Sequence, residues 1–273
     1  MSIAGNPRPW RSFAALGDSF TEGLCDEVGS DGRHLGWADR VASDLAARVP
    51  HFEYANLAVR GRLAPAVRSE QVPAALGLGA ELVSFGAGVN DTLRRSYDPS
   101  VTARAIEGAV RELRGAGSDV LLFAWGDPSR RSAVMGRVRE RIRILNRATR
   151  AIAEAYDCYL VNFWGVAVFD ENRHWDADRL HLSPSGHAMA AALALQALGL
   201  GDDRWRTPYP IDRVGRVSAL GADLAWARGH FGPWLARRMA GRSSGDGISA
   251  KRPSLQQIRA DATSTDAGVR VGG

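Results

Sequence analysis

Ala14-Ala15-Leu16-Gly17-Asp18-Ser19-Phe20-Thr21-Glu22-Gly23 is the stretch on which the reading of this chain turns. An apolar run, Phe13 to Leu16, stops abruptly at Gly17-Asp18-Ser19. A buried strand that ends in Gly, Asp and Ser delivers a hydroxyl to the edge of a sheet, where open α/β folds place their chemistry. Asp and Ser also favour the N-cap of a following helix. Taken alone, the stretch is equally compatible with a plain strand-to-helix turn, and the rest of the chain decides between the two.

Apolar runs bounded by Gly, Pro and Asp predict strands over residues 12–17, 52–59, 81–85, 119–124 and 158–163. Between and after them, apolar residues near i, i+3, i+4 spacing predict helices over 34–49, 65–76, 99–115, 132–156 and 184–198. Pro50 and Gly199 act as stops, and Pro65 suits a first helical turn. Five strands alternating with helices imply an α/β fold, a three-layer α/β/α domain around a five-stranded parallel sheet. Right-handed crossovers then gather the post-strand loops at one edge. Those loops begin at Gly17, Arg60, Gly86, Ala124 and Phe163, and the unusual residues of the chain cluster in them.

Residues 1–11 read as a short leader, 12–199 as the α/β domain, and 200–242 as an extension holding a Trp-containing helix over 218–240. Residues 243–273 are rich in Ser, Gly, Asp and Thr, carry no apolar periodicity, and read as a disordered tail. The N-terminal residues include Pro7, Arg8 and Pro9 with no apolar run, which predicts no signal peptide. No stretch of about 18 apolar residues predicts a membrane span.

With 273 residues, 45% of them hydrophobic, the chain can bury a sizeable core. Its two cysteines, Cys25 and Cys158, form no CxxC or zinc pattern, which excludes a disulfide framework and fits a reducing, cytoplasmic compartment. The net charge is +5, carried almost wholly by arginine, since Lys251 is the sole lysine. The arginines of 137–150 read as a solvated helix face. No nucleic-acid motif accompanies them, so no nucleic-acid partner is expected. Neither a zinc spacing nor a complete dinucleotide fingerprint is present; Gly86-Ala87-Gly88 lacks its third glycine, with Asp91 in that place. No metal and no cofactor are therefore expected, and the oligomeric state is left open.

Four pieces carry chemistry: Gly17-Asp18-Ser19, Asn56 to Gly61, Gly88-Val89-Asn90-Asp91, and Asp178-Arg179-Leu180-His181. A serine needs a base to become nucleophilic. His181 can serve, and Asp178, three residues before it, can hold the tautomer. His174 and His187 are the competing bases. An oxyanion needs donors, which the backbone N–H of Ser19 and of Gly61 and the side-chain amide of Asn90 can supply. Asp91 reads as structural. In their order these pieces resemble the four motif blocks of the SGNH (GDSL) hydrolase family, over about residues 12–199. The resemblance implies a flavodoxin-like domain and a serine hydrolase of carboxylic esters, thioesters included, that uses no cofactor. Ser19, His181 and Asp178 would form its triad, and Ser19, Gly61 and Asn90 its oxyanion hole. Phe20 stands where the family usually has leucine, and Arg62-Leu63 follow Gly61 where small hydroxyl residues are frequent. The rival reading is a catalytically silent α/β protein that binds a ligand or partner. No GxSxG elbow occurs, which argues against an α/β-hydrolase.

Overall fold

The computed structural model describes residues 10–131, 135–201, 245 and 247–259. The expected leader up to residue 9 and nearly all of the 200–242 extension, its Trp-containing helix included, lie outside the described residues.

The strands are β1 (Ser12–Gly17), β2 (Glu53–Asn56), β3 (Leu82–Gly86), β4 (Asp119–Ala124), β5 (Tyr159–Asn162) and β6 (Arg252–Gln257). They form one sheet in the order β5-β4-β3-β1-β2-β6. The first five are parallel. Their central members are apolar on both sides and fully buried, as a sheet covered on both faces requires. The helices are α1 (Ser19–Glu22), α2 (Trp37–Arg48), α3 (Ala64–Ala66), α4 (Val72–Leu78), α5 (Val89–Thr92), α6 (Pro99–Gly115), α7 (Arg139–Ala155) and α8 (Pro184–Ala197). α2 packs on α8, while α6 packs on α7 and on the α3–α4 stretch. Right-handed crossovers put α2, which leads β1 to its neighbour β2, on one face and the connections running through β3 to β5 on the other. The result is three layers.

β1 lies between β2 and β3, and the chain leaves it first for β2 and then returns to β3 on its other side. The connections after β1 and β3 therefore diverge, and that switch point is where ligands bind in such sheets. Ser19 follows β1 and Asn90 follows β3.

Three expectations are corrected. The sheet has six strands, because Arg252–Gln257 of the expected disordered tail pairs antiparallel with β2. Trp10, assigned to the leader, is a core residue whose Nε1–H donates to Asp119 Oδ2 at 2.8 Å. The long helix expected over 132–156 has its α-helical part at Arg139–Ala155, preceded by a 3₁₀ turn, Met135–Val138.

Candidate active site

The turn after β1 is built so that only glycine fits before it. Gly17 has φ +154°, and a Cβ there would stand 2.5 Å from Gly86 O and 2.6 Å from Thr21 Oγ1. The same peptide is gripped by Gln71, whose Oε1 accepts from Gly17 N–H at 2.8 Å and whose Nε2 donates to Gly17 O at 2.9 Å. Gln71 closes a π-helical turn, Val67–Gln71, between α3 and α4. Such turns inside α-helices are frequent at functional sites. Asp18 then caps α1, its Oδ1 accepting from Phe20 N–H at 3.1 Å. This frame presents Ser19 at the edge of the sheet.

Opposite Ser19 stands a short hairpin closed by a bridge between Trp175 and Leu182. Inside it Asp176 N–H donates to His181 O at 2.9 Å and Arg179 N–H to Asp176 O at 2.8 Å. Asp178 Oδ1 accepts from the backbone N–H of Leu180 and of His181, at 2.9 and 3.0 Å. Its Oδ2 accepts from His181 Nδ1 at 2.5 Å. With Nδ1 committed, His181 Nε2 is the accepting nitrogen, and Ser19 Oγ lies 3.0 Å from it. Burial by itself would raise the Asp178 carboxyl. The hydrogen bond and charge of His181 and the two backbone N–H groups outweigh it and hold the group below its ordinary value.

His174 and His187 are buried elsewhere. His174 Nδ1 meets Ser185 Oγ at 3.1 Å, and Arg173 Nε donates to its Nε2. His187 accepts from Trp37 N–H at Nδ1 and donates from Nε2 to Leu24 O at 3.1 Å. Burial pushes His187 down to about 4. The unfolded chain protonates this histidine near 6.5, so between that pH and about 4 the unfolded state binds the extra proton and stability falls as pH falls. Between pH 7 and 5 the loss amounts to about 2 kcal/mol. Thermal melts of the wild type beside His187→Gln at those two pH values check it. The wild type is expected to show the steeper fall, and equal slopes would remove His187 as the cause.

Gly61 lies in the loop after β2 with φ +80°, a conformation suited to glycine. The loop is pinned on both sides of it. Asn56 Nδ2 donates to Thr21 O at 2.9 Å, and the buried Glu22 accepts from Arg60 N–H at 2.7 Å and from the Arg60 guanidinium. Asn90 lines the same cleft as Ser19 and Gly61. Its Nδ2 donates to Asp18 Oδ2 at 2.7 Å and to Arg62 O at 3.2 Å. Asp91 faces away and is structural, accepting from Ala64 N–H at 3.0 Å and from Thr102 Oγ1.

The cleft has a volume of about 320 Å³ and an aromatic floor and wall that include Phe20, Trp125, Phe163, Phe169 and Trp175. Phe20 sits among the rings of Trp37, Phe123, Trp125 and Phe163, with centroids 5.1–6.0 Å away. A ring at this position thus extends an aromatic cluster under the serine. Trp125 is held by Asn146, whose amide accepts from Trp125 N–H and donates to Trp125 O, both at 2.7 Å. The Cys25 thiol, half-buried, lies beside Asp178 and His181, and burial with the nearby carboxylates of Asp176 and Asp178 pushes it up to about 12.

Sequence reading missed Gln71 and Asn146. Each is a polar residue on the inward side of its helix, Gln71 with Val67 and Asn146 with Leu145 and Thr149, and that break in the apolar stripe was the available signal.

Residues 15–189 match the model of the GDSL-like lipase/acylhydrolase family. The chain belongs to that family. This makes it an ester-cleaving hydrolase, and the match spans every element that builds the cleft. A search of curated proteins gave no significant match. Among solved structures, this GDSL hydrolase is similar to the acetylxylan esterase Axe2 of Geobacillus stearothermophilus, with 17% identity over 71% of this chain and 95% of that one and a TM-score of 0.58. It is also similar to TesA, with 21% identity over 68% of this chain and 99% of that one, TM-score 0.57. A third is LAE5, an alpha/beta hydrolase enzyme from the metagenome of Lake Arreo in Spain, with 20% identity over 71% and 97%, TM-score 0.58. At these identities the likeness is one of fold. Among the described residues no helix of this GDSL hydrolase is long and apolar enough to cross a membrane.

Proposed function

We propose that the chain is a serine esterase acting on carboxylic esters or thioesters, with Ser19 as nucleophile, His181 as base and Asp178 as the group that orients the base. The observation that carries this reading is the unbroken relay from Ser19 Oγ through His181 to Asp178 Oδ2, at 3.0 and 2.5 Å. In the acylation step Ser19 Oγ attacks the ester carbonyl carbon while His181 Nε2 takes its proton. Asp178, ionised and bound to Nδ1–H, keeps Nε2 free to accept and stabilises the imidazolium. The proton then passes to the leaving alcohol or thiol. Water, activated by the same nitrogen, releases the acid and restores the serine.

The backbone N–H of Ser19 and of Gly61 and the Asn90 amide are the proposed donors to the oxyanion. Asn90 now spends its amide on Asp18 and Arg62, so it must turn one N–H toward substrate as charge develops. Asn90→Ala is expected to lower kcat by about 10²–10³ with little change in KM. Steady-state kinetics check this; an effect on KM alone would make Asn90 a substrate-positioning residue.

The test of the reading as a whole is labelling with a fluorophosphonate probe, followed by peptide mass spectrometry. Modification at Ser19 supports it. An unlabelled protein, or a label elsewhere, would favour the silent binding protein.

A further inference from the structure

We propose that Arg131 is the anion-recognising residue of the cleft, and that the ester hydrolysed there carries a carboxylate or phosphate in its acyl or its alcohol half. The inference rests on the esterase reading and narrows its substrate class.

Arg131 lines the cleft together with Ser19 and His181. Its guanidinium lies 3.4 Å from the centroid of the Trp175 ring. That stacking uses the flat face of the guanidinium and leaves its in-plane N–H edge for other partners. Among the described residues, one hydrogen bond occupies that edge, from Nη1 to Arg179 O at 2.9 Å. Arg60, which also lines the cleft, is paired with Glu22, and two arginines nearby are paired as well, Arg139 with Asp127 and Arg173 with Glu171. Arg131 has no carboxylate at ion-pair distance among the described residues.

Burial pushes Arg131 down to about 10, with the charge of Arg179 acting in the same direction and Asp170 and Asp127 opposing from farther away. It therefore keeps its charge at neutral pH while being poorly solvated. A half-buried cation with no carboxylate at ion-pair distance loses part of its hydration without full compensation, and a ligand anion relieves that cost. The planar fork suits the two oxygens of a carboxylate or phosphate. The aromatic wall of Phe163, Phe169 and Trp175 suits the apolar body between that anion and the scissile bond.

The competing role is bracing. The bond to Arg179 O ties Arg131 to the residue between Asp178 and His181, which has φ +53°. A brace would affect every substrate alike, whereas an anion site affects charged ones selectively.

The test compares ester pairs that differ in one charge. Monoethyl adipate against ethyl hexanoate places a carboxylate in the acyl half. 4-Acetoxybenzoate against its methyl ester places it in the alcohol half, and 4-acetoxyphenyl phosphate against 4-acetoxyanisole does the same for phosphate. In the wild type, the charged member of at least one pair is expected to have kcat/KM higher by about tenfold or more, chiefly through KM. That ratio should fall toward one in Arg131→Gln and persist in part in Arg131→Lys. A wild type preferring the neutral member of all three pairs overturns the proposal, as does a ratio that survives Arg131→Gln. Loss of both members in equal proportion overturns it in favour of the brace. Should Arg131→Gln fail to fold, the wild-type ratios and the Lys variant decide. Failure of the esterase reading would look different: Ser19→Ala would still hydrolyse the neutral esters.

Discussion

Ser19→Ala is expected to lower kcat by on the order of 10⁶-fold, and His181→Ala by about as much, because a nucleophile and its base act as one unit. The double variant should be no worse than either single one. Asp178→Asn is expected to cost less, on the order of 10⁴-fold, since it leaves nucleophile and base in place but presents the wrong tautomer to the serine. The folds should survive. Ser19 gives up one hydrogen bond, to His181, worth about 1 kcal/mol net, and the cap of α1 is supplied by Asp18. Circular dichroism and melting temperature separate loss of chemistry from loss of structure. The pH profile adds a second check. Asp178 is held below its ordinary value, so its contribution to stability is present above that value, near 3.9, and is lost only as pH falls through the lower native one. Protonation of Asp178 therefore cannot account for a loss of activity between neutral pH and about 5. If Ser19→Ala retained turnover, or if His174→Ala abolished it while His181→Ala spared it, the assignment would be wrong.

The parts legible in the sequence are those where a polar residue interrupts an apolar run. Gly17-Asp18-Ser19 ends β1, Asn90 follows β3, and Asp178 and His181 stand three residues apart in a loop. In each case chemistry breaks a hydrophobic pattern, and pattern is what a sequence displays. β6 has no such pattern. Arg252-Pro253-Ser254-Leu255-Gln256-Gln257 has a proline and mostly exposed side chains. It is a strand only because β2 offers an unpaired edge about 200 residues earlier in the chain, and edge strands are where proline is tolerated. Arg131 was equally silent. It sits in the pair Arg130-Arg131, and nothing local distinguishes the arginine that enters the cleft from its exposed neighbour. The arginine-rich face of α7 is also less uniform than its composition suggests. Arg143 pairs with Glu140 on the surface, but Arg141 reaches across to the carbonyls of Thr92 and Arg94 and ties α7 to the end of α5, the short helix that carries Asn90.

Truncation after Arg242 is expected to destabilise the protein severely, because it removes β6 together with Lys251. The sole lysine of the chain is buried, and its ammonium spends its three donors on His34 O at 2.9 Å, Leu35 O at 2.9 Å and Asp39 Oδ2 at 2.5 Å. Asp39 lies in the first turn of α2, in surroundings where burial raises its carboxyl and the charge of Lys251 opposes that rise. Removing the lysine leaves the Asp39 carboxyl facing Arg252 at 4.0 Å in place of its 2.5 Å partner, and takes the ammonium donor from the carbonyls of His34 and Leu35. Breaking one side of such a pair costs about 3–5 kcal/mol. Lys251→Met keeps the aliphatic stem and isolates that loss; for a domain of this size it should lower the melting temperature by roughly 10 °C. Replacing both partners, as in Lys251→Met with Asp39→Leu, should recover much of it, since an apolar pair of similar volume is often no less stable than the ion pair. The effect reaches the cleft through the backbone. Gly23 ends the turn that begins at Ser19, and a Cβ on it would stand 1.6 Å from Leu35 O, so the segment anchored by Lys251 is the wall against which that turn rests. Truncation is therefore expected to depress ester turnover as well as the melting temperature. A truncated protein with both values near those of the full chain would reduce β6 to an ornament of the sheet edge, and a double variant no more stable than Lys251→Met alone would mean that the cost lies in the carbonyls of His34 and Leu35 and not in the charge of Asp39.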